Sequence, residues 1–193
     1  MDDVATDPAR KPRADSLRNR EQLIAAAKAA FTERGADAPL EDIARRAGVG
    51  IGTLYRHFAT REALLAAVYR REVEQLSATA DRLLATRPPA EALEAWLRQL
   101  VDYMATKRVI APALQASPGE GSAAYAASGP AMVGALNRLA AAAIAAGDIR
   151  ADVKSDDLIR LLSGVSLGYD QPGWADSARR LIAILMAGLR TPA

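Results

Sequence analysis

Cysteine is absent from these 193 residues, and histidine occurs once, as His57. The first absence excludes disulfides, thiol nucleophiles and thiolate metal sites. The second leaves neither the ligand set of the usual zinc centres nor a nucleophile–imidazole–carboxylate constellation. Aromatic residues make up only 5%, and valine, isoleucine and threonine together number 26. A pleated sheet draws on those residue types, so all-β and most α/β folds are discounted. No apolar run approaches the ~18 residues of a membrane span. The N-terminus opens on Asp2, Asp3 and Asp7, not on a basic stretch followed by an apolar one, so no secretory leader is expected. These absences lead us to expect a cytoplasmic chain with no membrane association, no cofactor, no metal ligands and no catalytic residues.

Alanine is what the sequence has in surplus: 44 of its 97 apolar residues. That is the composition of a helical protein long enough to bury a core without staples. The net charge of +2 conceals an asymmetry. Residues 10–71 hold 13 Lys/Arg against 7 Asp/Glu, and the remainder holds 12 against 16. A basic module is therefore joined to an acidic, apolar one.

Residues 1–14, with Pro8, Pro12, Arg10, Lys11 and Arg13, show no apolar period and read as a mobile basic arm. From Asp15 or Ser16, either a suitable N-cap, a helical period runs through Leu23, Ile24, Ala27, Ala30 and Phe31 to Gly35. Short helices follow at 39–47 and about 51–57, and Thr60 caps a longer one at 61–84. Beyond Pro88 and Pro89, an amphipathic stripe of Leu93, Trp96, Leu97, Leu100, Val101 and Met104 predicts a helix over 90–106. Pro112, Pro118, Gly119 and Gly121 allow only a short helix at 109–115 and then a loop. Helices over 122–146, 155–168 and 175–190 complete the chain, the first open to a bend at Gly129 and Pro130. The expected architecture is all-α with about nine helices. A three-helix head over 15–60 is joined by a long helix to a second domain over 61–193.

The chemistry concentrates in Leu40 to Phe58, LEDIARRAGVGIGTLYRHF. Two helices crossing at a tight turn need a small residue on the first, here Ala44, and a glycine tolerant of positive φ, here Gly48. Ile43, Ala47, Val49 and Leu54 fall where the pair buries its side chains. The second helix then exposes a short face on which Thr53, Tyr55, Arg56 and His57 reach a base edge or a phosphate in the major groove of double-stranded DNA. His57 as a metal ligand is set aside, because no second ligand lies near it at helical spacing. Arg45 and Arg46 belong either to a solvated face or to phosphate contacts.

This passage resembles the tetracycline-repressor (TetR) family of bacterial transcription regulators. The family's motifs stand here in order as Asp42-Ile43-Ala44, Ala47-Gly48-Val49, Gly52-Thr53-Leu54-Tyr55, His57-Phe58 and Glu62. The specific likeness covers about residues 20–70, a quarter of the chain; the rest matches in helical layout. It implies that Thr53, Tyr55 and His57 contact bases or backbone, and that Thr60 and Arg61 touch phosphate. Gly50 and Gly52 lie on the same DNA-facing segment. Gly50 departs from the family pattern, which commonly has a serine or threonine capping the recognition helix, and Ile51 replaces what is often a polar residue.

One short recognition helix offers few base contacts, so a dimer reading a palindromic operator is expected, with heads about 34 to 36 Å apart or slightly more. Residues 155–190 suit a homodimer interface. Leu158, Leu161, Leu162, Val165 and Leu167 with Leu181, Ile182, Leu185, Met186 and Leu189 are apolar on more than one side, beside the small residues Ser163, Gly164, Gly168, Ala183, Ala187 and Gly188. A purely intramolecular core is the alternative. The resemblance further implies a pocket for a small-molecule effector between the middle helices. Its candidate lining is Trp96, Leu100, Tyr103, Met104, Leu114, Tyr125, Met132, Val133, Leu136 and Asn137, with Gln99 as a second polar anchor. These side chains favour an apolar or aromatic effector over a charged one. Two other readings stay open: a regulator gated by a protein partner without a small ligand, and an all-α binding protein or enzyme whose basic face is incidental.

Overall fold

A computed structural model of the chain describes residues 10–116, 119–166, 168 and 171–191. Its helices are α1 (Arg10–Arg34), α2 (Leu40–Arg46), α3 (Ile51–His57), α4 (Arg61–Thr86), α5 (Pro89–Gln115), α6 (Glu120–Ala145), α7 (Ser155–Val165) and α8 (Trp174–Leu189). Among the described residues the only β feature is an isolated antiparallel bridge between Ile149 and Arg190. No described helix is long and apolar enough to cross a membrane.

The head closes on Leu23, Phe31, Ile43 and Leu54, all without solvent exposure, and on the buried Phe58. The turns that make this possible are glycine turns: Gly35 ends α1 at φ 84° and Gly48 links α2 to α3 at φ 70°. An L side chain at either angle is strained, so the tight crossing of α2 and α3 depends on glycine there. Asp42 anchors the outer side of this crossing. Its carboxylate, though buried, pairs with Arg45, with Arg46 at 3.0 Å and with Arg34 at 3.2 Å. Burial alone raises its pKa, but Arg46, Arg34 and Arg45 outweigh that and hold the carboxyl below its ordinary value. Arg45 and Arg46 thus brace α2 from outside, and Arg46 also reaches Glu33 at 2.8 Å.

Two boundaries differ from the sequence pattern. Residues 10–14 of the expected arm form the first turn of α1, so Asp15 and Ser16 lie inside the helix and cap nothing; residues 1–9 lie outside the described residues. The separate short helix at 109–115 is the end of α5, which continues through Pro112. Proline removes one intrahelical N–H, yet α5 packs on α4, α6 and α8, and Ile110, Ala111 and Leu114 around the proline are buried. Tertiary packing offsets the lost bond. In the same way α6 continues through Pro130.

The long helix α4 joins the head to the body. Thr60 caps it by accepting from the Ala63 amide at 3.1 Å, and its apolar stripe of Leu64, Leu65, Val68, Tyr69, Val73, Leu76 and Leu83 is buried. It packs mainly on α5 and α6. Lys28–Glu72 (2.6 Å) and Arg71–Glu21 (3.0 Å) fasten α1 to α4. At the far end Asp148 accepts from the Ala90 amide at 3.1 Å and so caps α5. The same segment is clamped to the end of α8 through Arg150 N to Leu189 O at 2.9 Å.

Candidate nucleic-acid interface and effector cavity

Leu54 is the buried residue of α3; every other side chain of that helix is at least partly open. Tyr55 is 48% exposed and Ile51 36%. Gly50 and Gly52 are also exposed, and a Cβ added to either would meet nothing within 4 Å. This is a small, open surface of mixed polarity at the outer end of a basic segment. Arg56 lies back over its own helix, donating to the Thr53 hydroxyl at 2.8 Å and to the Gly52 carbonyl at 3.3 Å. His57 is half-buried beside Phe58, whose ring also carries the Arg20 guanidinium 5.4 Å from its centroid.

Arg61, for which the resemblance implied a phosphate contact, also makes bonds inside the head. Its Nη1 donates to the carbonyls of Ala36 (3.0 Å) and Ala38 (2.5 Å). That end of the guanidinium pins the α1–α2 loop to the start of α4. Thr60 remains exposed, its hydroxyl oxygen engaged as the α4 cap. Thr53, Tyr55, Arg56 and His57 share one short helix, with Gly50 at its N-terminal cap and Gly52 in its first turn.

In the body, a cavity of about 360 Å³ opens between α5, α6 and α7. Of the candidates that the resemblance implied, Trp96, Leu100, Tyr103, Met104, Met132, Val133 and Leu136 line it. Three residues named with them do not. Leu114 is buried, with its side chain and backbone where a Cβ on Gly121 would fall. Tyr125 stacks on Tyr69 with ring centroids 5.9 Å apart. Asn137 is exposed, one position past Leu136 and so rotated away from the cavity. Gln99 belongs to a separate polar cleft with Lys28, Glu72 and Asp102.

The lining also includes Lys107, Ser128, Gly129, Ile159, Leu162, Ser163 and Ser166, none of which the apolar periodicity singled out as a contact. Ile159 and Leu162 recur on a helix whose other apolar residues face elsewhere. Behind the cavity wall runs a chain of buried hydroxyls. Tyr103 donates to Tyr69 at 2.8 Å, Tyr69 to Ser128 at 2.8 Å, and Ser128 to the Tyr125 carbonyl at 2.7 Å. Burial first, then the bond with Tyr69, pushes the Tyr103 phenol above its ordinary pKa, so it stays neutral. Tyr69 stands on α4, which makes this chain a polar link from the cavity to the helix that carries the head.

The expected dimer face divides in two. Leu158, Ile182, Met186 and Leu189 are buried within the chain itself. Leu162, Val165 and Leu185 are half-buried, and Leu167 lies outside the described residues. Leu161 and Leu181 are exposed, together with Ile184, which the sequence reading passed over. Leu181, Ile184 and Gly188 fall at spacings of three and four, a single outward stripe on α8.

Comparison with known proteins agrees with both halves. Residues 23–68 match the family described as bacterial regulatory proteins, tetR family. Residues 88–191 match the family described as transcriptional regulator SbtR-like, C-terminal domain. A solved structure of the TetR transcriptional regulator SCO0520 from Streptomyces coelicolor is 46% identical, with a TM-score of 0.80 over 90% of this chain and 99% of that one. A TetR transcription regulatory protein from Mycobacterium vanbaalenii is 35% identical, with a TM-score of 0.77 over 93% and 99%. Among curated proteins, the HTH-type transcriptional regulator SAR0097 of Staphylococcus aureus is 37% identical over 79 residues, 39% of this chain and 41% of that protein. The HTH-type transcriptional activator FasR of Mycolicibacterium smegmatis is 36% identical over 87 residues, 44% and 40%. The matched part thus spans about two-fifths of the length of each of these two curated relatives. With a helix-turn-helix head and an SbtR-like C-terminal domain that together take in most of its length, the chain belongs to the TetR family of bacterial transcriptional regulators.

Proposed function

We propose that the chain is a homodimeric repressor that grips a palindromic operator with its two heads and is released by a small, largely apolar effector in the α5–α6–α7 cavity. The observation that carries this reading is the link between the two sites. Tyr103 lines the cavity and is hydrogen-bonded to Tyr69 of α4, whose first residue, Arg61, holds the α1–α2 loop of the head. An effector that displaces the cavity wall therefore acts on the helix that sets the head's position.

Affinity in such a complex rests mainly on phosphate neutralisation, doubled by the second head, and so falls steeply with salt. Base contacts come from the α3 face, with Tyr55 its largest exposed side chain. Release requires the effector to bind the DNA-incompetent arrangement better than the competent one. A hundredfold loss of operator affinity corresponds to roughly 2.7 kcal/mol of coupling. The exposed stripe of α8 with Leu161 of α7 supplies the dimer contact. The sign of regulation follows from where the operator lies, since one relative is named an activator.

Genomic footprinting with the purified chain tests the proposal. The wild type should protect one palindrome, and Tyr55→Ala should weaken that protection at least tenfold while still sedimenting as a dimer. Equal protection by the variant would remove α3 from the recognition role.

A further inference from the structure

The cavity's donors are nearly all spent. Trp96 Nε1 donates to the Leu76 carbonyl at 2.8 Å, Tyr103 to Tyr69 at 2.8 Å and Ser128 to the Tyr125 carbonyl at 2.7 Å. Ser163 and Ser166 donate back into their own helical region, to the carbonyls of Ile159 (2.8 Å) and Leu162 (2.7 Å). Lys107 is different. Its ammonium lies 4.9 Å from the centroid of the Tyr125 ring, and no carboxylate pairs with it among the described residues. Among the described residues no acidic side chain lines the cavity.

A π face attracts the charge but accepts little from three N–H groups. An anionic oxygen answers both the charge and the donors, through short charge-assisted bonds. The position of Lys107 adds a direction. It sits on the same helix as Trp96 but about three turns away, roughly 16 Å along the axis, and at its own end of the cavity stands Ser128. The other end is walled by Trp96 and Leu136, and the volume of about 360 Å³ suits a small ligand.

We propose that the cavity takes a small amphipathic anion, its carboxylate or equivalent group held by Lys107 and its apolar body lying towards Trp96, Leu100, Met132 and Leu136. This rests on the reading of the cavity as the effector site and narrows the apolar effector class to one with an anionic head. A cationic ligand meets like charge at Lys107, and a neutral one leaves the ammonium without a counter-charge.

Isothermal titration of the full-length protein with matched probes tests it. Octanoate is compared with octan-1-ol and octylamine, and 4-phenylbutyrate with 4-phenylbutan-1-ol. The carboxylate of each set should bind at least tenfold more tightly than its alcohol, and the amine most weakly. Lys107→Met, which keeps the length and apolar stem, should abolish the preference, and Lys107→Arg should retain it. Binding of alcohols and carboxylates with equal affinity overturns the anion assignment while leaving an effector cavity in place. Binding of no probe overturns the anion assignment and removes the support for an effector cavity as well. A preference that survives in Lys107→Met places the anion elsewhere and overturns the role of Lys107.

Discussion

The head and the α7–α8 pair treat their apolar residues in opposite ways. In the head, α3 turns Leu54 fully inward and leaves outside a mostly polar face of Thr53, Tyr55, Arg56 and Gly52 with Ile51 36% exposed, beside the cap Gly50. On α7 and α8, Leu158, Ile182 and Met186 complete the chain's own core, yet Leu161, Leu181 and Ile184 remain 48%, 44% and 68% exposed. Isolated exposed apolar residues are ordinary on a protein surface. A stripe at helical spacing beside an apolar groove lined by Leu161, Val165 and Leu181 is not isolated. The difference teaches what each surface is fit to meet. The α3 face suits a hydrated polyanion, and the α7–α8 face suits a second apolar surface, for which this chain's own copy is the proposed partner.

Removing the buried side of the contrast gives the largest effect. Leu54 has no solvent exposure and joins α3 to the head core, so Leu54→Ala should cost about 2–5 kcal/mol of stability, the usual toll for a buried leucine. Urea unfolding followed by circular dichroism measures it. A loss below 1 kcal/mol would mean that α3 is not held by that core.

The exposed side should respond in assembly, not in folding. Ile184→Asp replaces an outward apolar side chain, so the fold of the single chain should be little changed. A carboxylate buried in an apolar interface goes uncompensated. We expect the dimer dissociation constant to rise at least a hundredfold, about 2.7 kcal/mol. Sedimentation velocity over a dilution series reads this directly, and an unchanged dimer would move the interface off α8.

The two regions also differ in how much of them could be read from the amino acids. The head is a local object: Ala44, Gly48 and Leu54 lie within eleven positions of one another, and their sizes and permitted φ values define the crossing almost unaided. The cavity is assembled from helices far apart along the chain. Periodicity told which face of α5 and α6 turns inward, and put Trp96, Met132 and Leu136 on it. It did not tell which neighbour lies opposite. Tyr125 looked like a wall residue until Tyr69, 56 positions earlier, was seen to cover it. Tyr69 drew no notice in the sequence, because its hydroxyl partners stand on other helices. Lys107 carried no signal in the sequence, and for Arg61 the resemblance implied a phosphate contact but not its bonds inside the head. What surrounds a long charged side chain is not written in its own stretch of sequence: one lines a cavity and the other holds two carbonyls. On α7 and α8, inward and outward leucines are not separated by hydropathy alone, which is why Leu158 and Leu161 were expected on the same surface.

The smallest effect probes the open face of the head at its sparsest point. Gly50 caps α3 with φ −72° and ψ 151°, an extended conformation that any L residue adopts, and a Cβ there meets nothing within 4 Å. Glycine is therefore not required for folding at this position, unlike Gly48 two residues before it. Gly50 gives α3 only its carbonyl, which accepts from Thr53 N at 2.9 Å and Leu54 N at 3.3 Å. A serine would add a side-chain oxygen for an unpaired amide of the first turn. Serine caps exceed glycine caps by only a few tenths of a kcal/mol, so Gly50→Ser should raise the melting temperature by about 1 °C. The same hydroxyl, projecting from the open face, gains a donor for phosphate and should tighten operator binding no more than a few-fold. Thermal melts and salt-controlled operator titrations measure the two effects separately. Higher stability without tighter binding would show that the N-terminus of α3 caps itself but does not lie against the DNA backbone, and would shift the phosphate contact along the helix toward Tyr55.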